Sequence, residues 1–363
     1  MGWRDVNGTG VSFNVFAPEA AVSFVRNAWY MGAWAREVRE RPMGRVILGE
    51  PVVVFRAASG AFGAMRDVCP HRAVPLSLGT VEGEHIRCPY HALEFDTTGV
   101  CRRNPHVKGP PDRITNRAYP VVERHGMIWL WLGEAALARP DLIVDYSCFN
   151  DPTKFTTCTG YLHISADYRL VIDNLMDLAH AEYIHPNTVG SKGAAEVQEA
   201  KLVQSEGAIS VNSLWPNLPP NAVSKPVWTR TERIDQYQDM TWRPASNLFL
   251  DLGIMAPGEP RASGYHTPSA HILTPESERT THYFWAFGRD FAMGNEAVSA
   301  GIAATVQAAF TTEDKPMIEA AQRNIDCAAA TLRNFTIGDA GSATVRRELD
   351  RLLAQESAGS AAA

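Results

Sequence analysis

The chain has 363 residues, of which 45% are hydrophobic and 20% charged, with a formal net charge of −6. That length allows one large or two ordinary domains with a sizeable core, in the composition of a soluble globular chain. The acidic balance and the lack of a long Lys/Arg run exclude a general nucleic-acid binder, and no uninterrupted apolar run is long enough to span a membrane. Six cysteines in a chain this long are not a disulfide framework. Thiols at short spacings from histidine instead suit metal ligands in a reducing, cytoplasmic compartment.

In chain order, residues 1–23 lack helical or strand periodicity and read as a leader on the surface or partly disordered. From 24 to 135 the chain is written in short β-branched and aromatic runs separated by turn residues: "RVILGE", "PVVVFRAASGAFGAM", "HIRCPY", "LEFDTTGVC" and "YPVVERHGMIWLWLG". This predicts an all-β domain, with Trp129 and Trp131 on one face of its core. A Pro/Asp-punctuated connection leads into residues 136–355, where strand-like runs such as "ASNLFLDLGIM" and "RTTHYFWAFGRDF" mix with helical text, Ala-rich from about 294 onward. The fold class expected is α+β, an N-terminal all-β domain followed by a catalytic domain with an antiparallel sheet flanked by helices. Residues 356–363 are expected to fray. Cys101, Cys148, Cys158 and Cys327 read as buried thiols.

Two constellations carry chemistry. "CPHRAVPLSLG" and "CPYHALEFD" place Cys69 with His71 and Cys88 with His91. Each short loop offers one thiolate and one imidazole, which suits a Rieske 2Fe–2S centre, since there two Cys hold one iron and two His the other. A zinc knuckle is the alternative, although zinc sites more often repeat like ligands within each loop. The second constellation is "DNLMDLAHAEYIHP", with Asn174, Asp177, His180, His185 and Pro186. On a regular helix His180 and His185 are about 500° apart and could not share an ion. Pro186 disfavours α geometry at His185, so the helix is expected to end or distort there. A carboxylate would complete a facial triad for non-haem Fe(II). Spacing does not choose one; Asp314 is the candidate, with Glu313 beside it and Pro316 two residues on.

On these residues, together with "HILTPE" and "HYFWAFGRDF", the chain resembles the oxygenase components of Rieske non-haem iron oxygenases, in the branch of vanillate O-demethylase and dicamba monooxygenase. The resemblance implies that Cys69, His71, Cys88 and His91 hold the cluster and that His180, His185 and Asp314 hold the iron. It also implies a head-to-tail homotrimer in which Asp177 bridges one subunit's cluster to its neighbour's iron, with Asn174 bordering the metal. The absence of a dinucleotide-binding G-x-G-x-x-G loop and of a plant-type ferredoxin cluster run implies a separate NAD(P)H-dependent reductase with flavin and a ferredoxin-type centre. The activity implied is O-demethylation of a methoxylated aromatic acid with O2, releasing formaldehyde. Ring hydroxylation, N-demethylation and aryl-methyl oxidation are alternatives, as is an electron carrier fused to a binding domain. Trp242, His266, Trp285 and Phe287 are candidate substrate contacts.

Overall fold

The computed structural model describes residues 24–108, 111, 113–328 and 339–361; the expected leader, residues 1–23, lies outside them. The N-terminal half is built from ten short strands: β1 (Trp29–Trp34), β2 (Met43–Ile47), β3 (Glu50–Arg56), β4 (Phe62–Arg66), β5 (Thr80–Glu82), β6 (His85–Arg87), β7 (Glu94–Phe95), β8 (Cys101–Arg103), β9 (Val121–Arg124) and β10 (Met127–Trp131). They form three small antiparallel sheets, in the orders β1-β10-β9, β2-β3-β4 and β5-β6-β7-β8. All five residues of β10 are buried. Its alternating side chains serve two cores, Ile128 and Leu130 one and the Trp129/Trp131 face another.

The C-terminal half adds β11 (Thr156–Ile164), then α1 (Tyr168–Met176), α2 (Ala181–Ile184) and α3 (Ala194–Val197). Next come β12 (Glu199–Ser205), β13 (Ala208–Leu218), β14 (Ile234–Arg243), β15 (Asn247–Met255), β16 (Tyr265–His266), β17 (Ser269–Ser277) and β18 (Thr280–Arg289). The chain closes with α4 (Glu296–Ala308), a π-helical turn at Ala309–Asp314, α5 (Lys315–Ala328) and α6 (Asp339–Ala361). The strands make one antiparallel sheet ordered β11-β18-β17-β15-β14-β13-β12, with β16 beside β15.

Side chains alternate across this sheet, and each face has a different client. Ala270, Ile272, Phe284 and Ala286 pack against Trp29, Met31, Trp34, Trp129 and Trp131 of the N-terminal half. The opposite face includes the row Trp242, Leu248, His271 and Trp285, paired strand to strand. It packs with Leu170, Val171 and Leu175 of α1, Ile302 and Val306 of α4, and Ile318 of α5. Each such buried aliphatic side chain contributes about 1.5–3 kcal/mol. Backbone bonds from Leu48 N–H to Pro275 O (2.8 Å) and from Gly49 N–H to Glu276 O (2.9 Å) stitch the halves together.

Two expectations need correction. Of the four thiols expected to be buried only Cys101 is; Cys148 and Cys158 are half-buried, and Cys327 is exposed on the outer side of α5. The tail expected to fray from residue 356 is helical through Ala361; the Glu356 carboxylate accepts from the backbone N–H groups of Arg26 (2.8 Å) and Asn27 (2.6 Å), which ties α6 to the segment just before β1. Among the described residues, no helix is long and apolar enough to cross a membrane.

Candidate functional site

The first site sits at the tips of two hairpin-like loops, after β4 and between β6 and β7. Both loops fold by the same local rule. Cys69 N–H donates to Val74 O (2.9 Å) and Ala73 N–H returns to Cys69 O (2.9 Å). In the second loop Cys88 N–H donates to Leu93 O (2.8 Å) and Ala92 N–H returns to Cys88 O (3.1 Å). Ala73 and Ala92, each four residues after its Cys, are both left-handed at φ 56°. An alanine held there stores strain of about 1–3 kcal/mol, and such strain clusters at sites where surrounding structure dictates the backbone.

The two thiols are buried, while His71 is exposed and His91 half-buried. The imidazole rings stand 4.4 Å apart. Burial pushes the Cys69 thiol up to about 11, with neighbouring Cys88 adding to the rise. Two adjacent thiols so disposed ionise readily only with a metal beside them. The donor set, sulfurs inward and imidazoles outward with one of each per loop, fits a Rieske cluster. His106, which sequence spacing did not single out, places Nε2 3.1 Å from His91 O.

The second site is assembled from segments far apart in sequence. Helix α1 is N-capped by Asp167, whose side chain accepts from Arg169 N–H (2.8 Å). It stops at Asp177, whose backbone is extended (φ −115°, ψ 91°). A 3₁₀ turn, Leu178–His180, and the short α2 follow, and His185 leaves helical geometry at φ −117°, ψ 37°. The chain therefore breaks twice, at Asp177 as well as before Pro186, and the two breaks swing both imidazoles to one place. Gly190 closes the turn behind them, donating to His185 O (3.0 Å). A Cβ there would lie 2.2 Å from Ala181 O, so only glycine permits this approach.

Asp314 arrives from the opposite side at the end of the π turn, just before α5. Pro316 lies in the first turn of α5, directly after the π turn, where the regular bonding pattern of the helix is already interrupted. π turns recur at functional sites, and this one turns Asp314 inward. The ligand atoms of His180, His185 and Asp314 all lie within 4.8 Å of one another.

Around this trio the tautomers are fixed. His180 Nδ1 is 2.5 Å from Asp177 O, and a carbonyl only accepts, so Nδ1 carries the proton. His185 Nδ1 donates to Glu313 Oε2 (2.7 Å), which also accepts from Thr188 Oγ1 (2.6 Å). Both Nε2 atoms are left facing Asp314 Oδ1, at 3.5 Å from His180 and 3.1 Å from His185. Asn174 Nδ2 donates to the same oxygen (3.1 Å). Burial alone would raise the Asp314 pKa, but the His180 and His185 rings beside it, when protonated, hold it well below the usual carboxylate range. Burial pulls His185 down, yet Asp314 and Glu313 outweigh it and raise its pKa. Two imidazoles and a carboxylate converging this way fit a 2-His-1-carboxylate iron site. Glu313 and Asp314 thus divide the work, one on each side of His185. Adjacency in sequence is the only signal that could have marked Glu313.

A cavity opens on the same side of the sheet, bounded by Val189, four residues after His185, and by Val306 of α4. Phe287 lines it, as do Leu252 and Ile254. Of the other candidate contacts, Trp285 is buried on that face with its ring 5.9 Å from Phe310. Trp242 is fully buried with Nε1 donating to Ala245 O (3.2 Å), outside the cavity lining. His266 pairs with Asp251 (2.7 Å) near the surface, and its neighbour Tyr265 lines the cavity instead, because consecutive strand residues point to opposite faces.

Comparison with known proteins was made against this geometry. The Rieske 2Fe-2S domain family matches residues 28–120, and the vanillate O-demethylase oxygenase C-terminal domain family matches residues 164–355. The chain is 36% identical over 341 residues to the dicamba O-demethylase oxygenase component of Stenotrophomonas maltophilia, covering 93% of this chain and 100% of that one. It is 37% identical over 332 residues to the chloroacetanilide N-alkylformylase oxygenase component of Rhizorhabdus wittichii, covering 90% and 95%. The crystal structure of dicamba monooxygenase bound to 3,6 dichlorosalicylic acid superposes with a TM-score of 0.87 at 36% identity, covering 92% of this chain and 99% of that one.

Proposed function

Because this chain belongs to the Rieske non-haem iron oxygenases, as an oxygenase component with a Rieske cluster and a mononuclear iron as its cofactors, we propose that it removes the methyl group of a methoxylated aromatic molecule. The observation that carries the reading is the convergence of His180, His185 and Asp314 from two segments of the chain, on the side of the sheet that holds the cavity.

In this reading Cys69, Cys88, His71 and His91 hold the cluster, and His180, His185 and Asp314 hold the iron. When bound, the cluster supplies electrons one at a time and the iron activates dioxygen. The protein's own part is positional. Asp177 O and Glu313 keep the Nδ1 protons, so both Nε2 lone pairs would be free to hold a bound metal. Asn174 steadies the Asp314 carboxylate, and Phe287, Leu252 and Val306 exclude water from the reacting carbon. One oxygen atom enters a methyl C–H bond while two electrons and two protons take the other to water. The hemiacetal so formed collapses to a phenol and formaldehyde.

The electrons come from a separate NAD(P)H-dependent reductase with flavin and a ferredoxin-type centre. The chain works in the cytoplasm as a homotrimer, with Asp177, half-buried beside His180, at the junction between subunits. The same hydroxylation next to nitrogen would be N-dealkylation, a second reading favoured by the amide side chains in the cavity. The test is formaldehyde release from methoxyarenes by holoprotein, reductase and NAD(P)H. Formaldehyde equal to product phenol supports O-demethylation; oxidised product without formaldehyde points to ring hydroxylation or aryl-methyl oxidation. Reduction of the cluster with no oxygenated product would leave the electron-carrier reading.

A further inference from the structure

Building on the reading that this site oxidises an aromatic molecule, we propose that its cavity selects an uncharged substrate bearing an amide-like group, held by Gln236 and Gln238, over an aromatic carboxylate. The register of the sheet places these side chains. Gln236 stands opposite Ile254 and Gln238 opposite Leu252, so the two glutamines, two residues apart on β14, share one face and one wall of the cavity. Phe287 and Phe291 supply aromatic surface to the same cavity.

Gln236 is 5% exposed, and its Oε1 is buried with no hydrogen-bond partner. A buried carboxamide left open is costly, and it ends in both an acceptor and donors. The open oxygen calls for a neutral ligand donor such as the N–H of an amide or anilide. The cavity's other polar groups are already engaged. Asn221 Nδ2 donates to Val189 O (2.8 Å), and its Oδ1 accepts from Ser224 N–H (3.0 Å) and Ser224 Oγ (3.0 Å). Thr267 Oγ1 donates to Leu252 O (3.3 Å).

Among the described residues that line the cavity, none is Lys, Arg or His. The buried Arg289 guanidinium lies 5.8 Å from the Phe291 ring, but it is spent on Ala292 O (2.5 Å), Asn295 O (3.1 Å) and Ser299 Oγ (2.7 Å). Two further unpartnered ring nitrogens on this face, Trp285 Nε1 and His271 Nε2, do not line the cavity. A carboxylate entering here would lose its hydration without gaining a countercharge. A neutral amide would instead satisfy Gln236.

The discriminating pair is vanillamide and vanillate, which share ring, hydroxyl and methoxy group and differ only in amide against carboxylate. Calorimetric titration of the iron-loaded holoprotein is expected to show vanillamide binding about tenfold or more tightly. Gln236→Leu should weaken vanillamide about tenfold and leave vanillate unmoved, whereas Gln236→Arg should reverse the preference. Vanillate binding to wild type as tightly as vanillamide, or neither binding, overturns the proposal without reference to any variant. Formaldehyde release, read in parallel, separates the two readings. Tight vanillamide without formaldehyde would support the cavity's selectivity while removing O-demethylation; tight vanillate with formaldehyde would do the opposite.

Discussion

The candidate cluster loops and the candidate iron site bring metal-binding side chains together in opposite ways. At the cluster, one local motif is used twice: a buried Cys, a histidine two or three residues on, a left-handed alanine four residues after the Cys, and matching backbone bonds. At the iron site nothing repeats. His180, His185 and Asp314 come from segments some 130 residues apart, and each segment departs from regular helix to deliver its ligand, one by an extended residue and a 3₁₀ turn, the other by a π turn. Local motifs carry their geometry with them. The iron site borrows its geometry from the sheet and helices that meet around it, so it should be the more sensitive to changes at a distance.

Substitutions can separate the two regions. The largest expected effect is from Asp314→Ala, which should abolish turnover and remove the mononuclear iron while the visible and EPR signatures of the cluster stay unchanged; Cys88→Ala should bleach those signatures. Smaller, and confined to the iron, is Glu313→Ala. Freed from its carboxylate, His185 should lose orientation, and iron affinity measured by chelator competition should fall about 10- to 100-fold. If affinity does not change, the partition of roles between Glu313 and Asp314 is wrong.

The cluster side has its own counterpart. Ala92→Val puts a β-branched residue at φ 56° and should cost about 1–3 kcal/mol, seen as lower cluster content and a lower Tm, whereas Ala92→Gly should be tolerated.

The smallest effect concerns the seam between the two regions. His282 Nε2 donates to Val46 O (2.9 Å), and Nδ1 accepts from Tyr161 OH (2.9 Å), with Arg45, Glu276 and His163 around it. Burial, aided by Arg45, pushes its pKa down to about 4. The unfolded chain therefore binds the extra proton first as pH falls below about 6.5. The stability this histidine contributes is present above that pH and is lost as pH falls toward 4. Tm should drop across this window, and His282→Asn should flatten the drop; an unchanged slope would show that His282 is not the titrating group.

The same contrast explains what could be read in the sequence. The alternation of Cys and His within two short loops pointed to a Rieske domain directly, because all four candidate side chains and the turns that aim them lie within one stretch of chain. The strand text of the N-terminal half was legible for the same reason, being set by period-two patterning in "MIWLW" and its neighbours. The iron site was half legible. Pro186 signalled a break at His185, but the break at Asp177, where the Asp177 side chain caps the next turn by accepting from Ala179 N–H (3.1 Å), was not read from the sequence. Pro316 marked an irregularity near Asp314 without revealing that a π turn precedes it. The cavity was least legible: Phe287 was anticipated, yet Gln236 and Gln238 in "IDQYQDM" look like ordinary exposed strand residues until the sheet register brings them under the helices. The sequence singled out His266, but strand parity turns its neighbour Tyr265 into the cavity instead.

The most direct measurement is an iron and acid-labile sulfide count with the EPR spectrum of dithionite-reduced protein, made on wild type and Asp314→Ala together. Two independent sites predict about three irons and two sulfides per wild-type chain. In the variant they predict about two irons with the same sulfide and an unchanged Rieske signal. A variant that keeps all its iron, or a wild-type chain that carries zinc and no sulfide, would contradict the assignment of two metal sites.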